Sequence, residues 1–329
     1  MLRITLICYL AIVINKPMQM KNILTAAVVM ALGYTATSGK YHTVKLNSAE
    51  PDSANYIYDT TVRAKLISNQ FSFTEGPATD KKGNVFFTDQ PNNQIWKYST
   101  DGKLTLFMAS AGRSNGMYFD KKGNLISCAD EHDQLWSISP DKKVTVLVAN
   151  LDGKLLNGPN DVWVNRKTGG IYFTDPYYQR DYWTRKQPDI DGQKVYYLAP
   201  GSKVPVVVSD QLKKPNGITG TADGKYLYVA DIGANKTYRF EVQADGTLSQ
   251  PALYVNQGSD GMTIDNRGNI YLSGKGVTVY SSAGTKLAHI DIPEPWTANL
   301  CFAGKNKDIL FITASKAIYI LKTKMKGIE

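Results

Sequence analysis

Six times along this chain a single polar residue stands directly before an apolar run, and a tight turn and a second β-type run follow. The polar residues are Glu75, Asn115, Asn160, Asn216, Asp260 and Asn299. The clearest copy is Leu156-Asn157-Gly158-Pro159-Asn160-Asp161-Val162, which leads into Val162-Trp163-Val164 and then Gly170-Ile171-Tyr172-Phe173-Thr174-Asp175. The turn glycines Gly83, Gly123, Gly169, Gly224 and Gly268 fall 8, 8, 9, 8 and 8 residues after the polar position, so the register is held along the chain. Successive polar positions are 40, 45, 56, 44 and 39 residues apart. Spacing of this size matches the roughly 40–50 residues of a propeller blade. A chain with this repeat is expected to be all-β: a six-bladed β-propeller.

Within each unit the order reads as an inner strand beginning at the polar residue, a second strand, and two outer strands such as residues 94–98 and 104–107. The last unit supplies strands near residues 299–302, 309–313 and 317–321 and then the chain ends, one strand short. The alternating segment 63–68, with its strand at residues 64–67, is expected to fill that place, so that an N-terminal strand closes the last blade and no sheet edge stays open. The third unit carries an insertion, residues 177–192, rich in Tyr, Trp, Arg and Asp. Loops of this length in a compact domain are often functional.

Composition agrees with strands and turns. The 329 residues include 27 glycines and 20 tyrosines, and 43% are hydrophobic, enough for a large core. The formal net charge of +9 does not mark a nucleic-acid partner, because the lysines are spread over turns such as Lys81-Lys82, Lys121-Lys122 and Lys142-Lys143 instead of forming a patch. Residues 1–38 read as an export leader. Met20-Lys21-Asn22 and the apolar residues 23–33 precede a small-residue site at Ala36-Thr37-Ser38, and residues 4–14 form an earlier apolar run, so the start is either Met1 or Met20. A periplasmic or secreted location is expected, with no stable membrane insertion after cleavage. Residues 39–62 read as a lead-in with little regular structure and residues 63–329 as the propeller. Cys128 and Cys301 lie in apolar strands and are expected to be buried thiols.

If the six inner strands run side by side around an axis, their polar starts converge at one end of the central tunnel. Two carboxylates with several amide oxygens make a hard oxygen site of formal charge −2, suited to Ca²⁺ or Mg²⁺. Other chemistries lack support. His42, His132 and His289 form no metal pair, and the chain has no Cys-x-x-Cys, no Gly-x-Ser-x-Gly elbow and no phosphate-cradling or dinucleotide loop. His132 follows a second strand and is a candidate to line the site.

Glu75-Gly76-Pro77, residues 156–162, Ile171-Tyr172-Phe173-Thr174-Asp175-Pro176-Tyr177, Pro215-Asn216-Gly217-Ile218 and Asp260-Gly261-Met262 together resemble the gluconolactonase and regucalcin (senescence marker protein) family, most closely its bacterial gluconolactonase branch. The resemblance covers about residues 63–322. It implies a six-bladed propeller with a divalent cation in the tunnel: Ca²⁺ first, with Mg²⁺, Mn²⁺ or Zn²⁺ as alternatives. Residue by residue it implies Glu75, Asn160, Asn216 and Asp260 as metal ligands and Asp260 as the acid/base carboxylate. Asn115, His132 and Asn160 are then implied to face the substrate. Gly158 departs from the serine usual in the bacterial branch, and the arginine that the regucalcin branch carries two residues before its equivalent of Asn160 is absent. The implied activity is hydrolysis of a sugar-acid lactone, its carbonyl polarised by the metal and attacked by water. The alternatives are a promiscuous arylesterase or phosphotriesterase on the same metal, or a propeller that binds a ligand without catalysis.

Overall fold

The computed structural model describes residues 53–328, so the expected leader lies outside the described residues. Six four-stranded antiparallel sheets follow one another in chain order, with the inner strands at Thr74–Thr79, Ser114–Phe119, Val162–Val164, Pro215–Gly220, Met262–Ile264 and Thr297–Ala303. This is the six-bladed propeller expected from the repeat. Its closure is also as expected: Lys65–Ser68 pairs antiparallel with Ala317–Lys322, Lys65 opposite Ile320 and Leu66 opposite Tyr319, and completes the sixth sheet.

The turn chemistry explains why the repeat reads so clearly. In Asp80-Lys81-Lys82-Gly83-Asn84 the Asp80 Oδ1 accepts from the Lys82 and Asn84 amides at 2.8 and 2.9 Å, and Asn84 Nδ2 donates to Oδ2 at 2.8 Å. Asp120 and Asp265 hold Asn124 and Asn269 in the same way. A short carboxylate that satisfies the turn's own amides makes each hairpin locally self-sufficient. A second device ends the second strand. Asp89, Asp175 and Asp231 each accept two backbone amides from the loop before their own inner strand: Ser72 and Phe73, Asn157 and Gly158, Lys213 and Lys214.

Aromatic and aliphatic side chains fill the wedges between blades. Phe87 meets Phe311 of the last blade at 5.6 Å between ring centroids, and Tyr271 meets Phe302 edge-on at 5.2 Å. Cys128 and Cys301 are buried in these strands, as expected.

Residues 39–52 of the lead-in lie outside the described residues, and from Ser53 onward the lead-in is more ordered than the sequence suggests. Ser53–Ile57 forms a one-turn helix whose Ile57 is fully buried in the core of blades five and six, and Ser53 Oγ donates to the Leu287 carbonyl at 2.7 Å. Five residues are too few for a periodic apolar stripe to show. The burial of one isoleucine against an outer strand provides the order instead. Among the described residues no helix is long and apolar enough to cross a membrane.

Candidate active site in the propeller tunnel

The residue after each polar position sets how closely the inner strands meet. It is glycine in four blades, at Gly76, Gly116, Gly217 and Gly261. A β-carbon on Gly76 would lie 2.0 Å from the Asn115 carbonyl oxygen, and one on Gly261 would lie 2.0 Å from the Asn299 side chain. Each glycine therefore lets the polar residue of the next blade close in on the axis. Hydroxyls on the second strands fasten the ring: Thr88 donates to the Asn115 carbonyl at 3.3 Å, Thr174 to that of Asn216 at 2.7 Å, and Ser273 to that of Ala298 at 2.7 Å. Asn160 is held through its backbone, its carbonyl accepting from Gly116 N at 2.7 Å and its amide donating to Thr174 O at 2.9 Å.

The side chains do converge. Asn299 Nδ2 reaches both Glu75 Oε2 at 3.2 Å and Asp161 Oδ2 at 3.3 Å, and so links three blades. Glu75 Oε2 also accepts from Gly76 N at 2.6 Å. Asp260 Oδ2 accepts from the Trp296 indole N–H at 2.6 Å. The amide nitrogen of Asn216 is spent on Tyr178 Oη at 3.0 Å and on Asp260, which leaves its carbonyl oxygen for a ligand. Asn115 keeps a buried carbonyl oxygen, Oδ1, that has no hydrogen-bond partner.

The electrostatics distinguish the two carboxylates. Glu75 is buried at the floor, and burial pushes its carboxyl well above the usual range, with the Asp260 and Asp161 charges adding to the rise. Asp260 sits deep in the protein but stays reachable by water. Burial raises it as well, while the Trp296 and Asn216 hydrogen bonds and the Arg180 charge pull the other way. Burial is the leading cause of the rise in both carboxyls.

Among the described residues no three His, Cys, Asp or Glu side chains group as a metal cage. Any cation would thus draw on amide oxygens as well as carboxylates. That donor set fits a hard divalent ion, and so does the buried Asn115 oxygen that has no hydrogen-bond partner.

His132 is not part of this group. It ends a 3₁₀ turn, Asp130–His132, and its ring stacks on Trp136 at 5.2 Å beside Glu131, with 49% of the side chain exposed. The turn sends Asp130 inward instead. Asp130 Oδ2 accepts from Gln90 Nε2 at 3.2 Å and from the Tyr182 hydroxyl, and Arg180 Nε lies 2.8 Å away. Its backbone carbonyl accepts from the Trp183 indole at 3.0 Å.

Asp130 thus anchors the insertion 177–192, which brings Tyr178 and Arg180 over the tunnel mouth. Asp130→Ala strands Arg180 and the Tyr182 hydroxyl. Cleavage within residues 177–192 by a low dose of trypsin is expected to accelerate about tenfold, from about 1.4 kcal/mol of lost local protection, while the propeller's own melting point moves little. Unchanged cleavage would show that the insertion is held by other contacts.

Three residues escaped the sequence reading. Asp161 stands where four other repeats have glycine, a break in the pattern that marks it. Asp130 was overshadowed by its neighbour His132. Trp296 follows Pro293-Glu294-Pro295 in a loop that the repeat does not register.

A family model described as SMP-30/Gluconolactonase/LRE-like region matches residues 73–316. The gluconolactonase of Zymomonas mobilis is 28% identical over 304 residues, covering 82% of this chain and 84% of that protein. Among solved structures, a gluconolactonase of Xanthomonas campestris superposes with a TM-score of 0.73 at 26% identity, over 79% of this chain and 89% of that one. The calcium-binding protein regucalcin of Agrobacterium tumefaciens superposes with a TM-score of 0.67 at 18% identity, over 80% and 95% of the two chains, a likeness of fold. With the tunnel motifs and most of the propeller inside the matched span, this chain belongs to the SMP-30/gluconolactonase/LRE-like family.

Proposed function

We propose that this protein is a divalent-cation-dependent lactonase that opens the ring ester of a sugar-acid lactone. The observation that carries the reading is the meeting of Glu75, Asn216 and Asp260 with Asn299 and Asp161 at one end of the tunnel, five blades contributing to one polar centre. The gluconolactonase relatives support the hydrolysis of a lactone.

Glu75, Asn160, Asn216 and Asp260 would hold the cation, with Ca²⁺ the first expectation for an oxygen donor set. Bound there, the ion supplies Lewis acidity toward the lactone carbonyl oxygen. Asp260 is the one carboxylate of the group open to water, and beside its bonds from Trp296 and Asn216 one of its oxygens takes the proton as water adds to the carbonyl carbon. The same oxygen returns the proton to the ring oxygen when the C–O bond breaks, and the open hydroxy acid is the product. Asn115 offers an acceptor to a substrate hydroxyl.

The test is a panel of lactones measured on metal-stripped protein and after reconstitution with Ca²⁺, Mg²⁺, Mn²⁺ or Zn²⁺. Stripping is expected to lower turnover at least about a hundredfold, since loss of one charge-stabilising group already costs about that much, and one of the four ions is expected to restore it. Full activity in the stripped protein would remove the cation from the mechanism.

A further inference from the structure

Beside Asp260 the tunnel mouth opens into a cleft of about 700 Å³ between blades four, five and six. That volume lies within the roughly 300–1,000 Å³ of small-molecule sites. Trp296 forms one wall. Its indole N–H is tied to Asp260 Oδ2 at 2.6 Å, its six-membered ring comes within 3.8 Å of where a β-carbon on Gly274 would stand, and 37% of the residue remains exposed. Pro293 and Pro295 stiffen the loop that presents it, so the ring is held in place before any ligand arrives. The remaining walls offer Asn235, Gln257, Lys275, His289 and Asp291.

Lys275 and Lys286 are balanced there by Asp291 and Glu294, so the cleft carries no strong net sign and selects neither an anion nor a cation. A stiff exposed indole facing hydrogen-bonding groups of both kinds suits a neutral polyhydroxylated ring. The ring's C–H face would lie on the aromatic and its hydroxyls would reach the polar wall. The bond from the indole to Asp260 places this platform directly next to the carboxylate assigned to the reaction.

We propose that this cleft is a second subsite and that the substrate is a glycosylated aldonolactone, with the lactone ring at Asp260 and an attached sugar ring stacked on Trp296. This rests on the lactonase reading above and extends it to a substrate class.

Two measurements on the full-length protein test it. In the first, hydrolysis of a single-ring aldonolactone is compared with hydrolysis of its glycosylated counterpart. The wild-type protein is expected to show a kcat/KM about tenfold higher for the glycosylated lactone. Lys275→Ala with Asp291→Ala, both on the cleft wall, is expected to raise KM roughly five- to tenfold for that lactone alone. Equal kcat/KM for the two lactones, or equal losses on both in the double variant, would overturn the subsite. The second measurement needs no turnover: titration with a glycosyl alditol, a hydrogenated disaccharide that cannot form a lactone, followed by tryptophan fluorescence. Saturable quenching that disappears in Trp296→Phe supports the subsite. No quenching, or quenching unchanged in Trp296→Phe, overturns it. Should neither lactone be hydrolysed while the alditol still binds at Trp296, the lactonase reading fails and the sugar subsite stands.

Discussion

Asp260→Asn is expected to reduce kcat for lactone hydrolysis by roughly 10²–10⁴-fold, the usual worth of a positioned acid/base group, while the melting temperature moves by no more than a degree or two. The side chains are nearly isosteric, and an asparagine carbonyl oxygen can still accept from the Trp296 indole, so the loop before the last inner strand keeps its anchor. What is lost is the basic oxygen that faces the tunnel. Removing one negative charge also weakens any cation held with Glu75, so the comparison belongs at saturating metal, with the spontaneous hydrolysis of the lactone subtracted. An Asn variant that turns over at the wild-type rate would leave Asp260 no part in proton transfer. Glu75→Gln separates the two roles. Buried at the floor and bonded to Asn299 and Gly76, it is expected to weaken cation affinity strongly and to recover much of its turnover at high metal concentration.

Gly76→Ala is expected to cost about 3–5 kcal/mol of stability, at the severe end of single substitutions, and to lower the melting temperature by about 10 °C on the scale of a domain this large. Two effects act together. Gly76 has φ of +45°, where a β-carbon is strained. The added methyl would also lie 2.0 Å from the Asn115 carbonyl oxygen. That oxygen belongs to the neighbouring blade's inner strand, so the contact cannot be relieved by turning a side chain and the two blades must move apart. Thermal or urea unfolding measures the loss. The residual folded protein should also bind cation poorly, because Glu75 Oε2 depends on the Gly76 amide. A variant melting within a degree of wild type would mean that the inner strands are packed more loosely than their spacing indicates.

The propeller, its blade count and its closure were readable because each blade is built from local information. Asp80-Lys81-Lys82-Gly83-Asn84 forms its turn from its own side chains, and the alternating runs on either side need only their neighbours. Repeat phase then gave the ring of polar positions. Glu75, Asn216, Asp260 and Asn299 do meet, because identical blades place identical positions at the same end of the axis. The Asp161 exception was present in the pattern too, as the one carboxylate at a position that is glycine in four blades and Leu300 in the sixth.

Contacts between segments far apart in the chain, without a periodic signature, were decided only by tertiary structure. Whether Asp130 or His132 turned inward depended on a single 3₁₀ turn ending at Asp133, whose φ is +55°. Two residues apart in sequence, they point to opposite environments. Trp296 finds Asp260 36 residues away, and the insertion finds Asp130 from more than forty residues downstream. A repeat specifies a scaffold because the same short-range interactions recur in every copy. What distinguishes one blade from another at the tunnel mouth arises from single, unrepeated encounters between loops, and these exist only once the ring has closed.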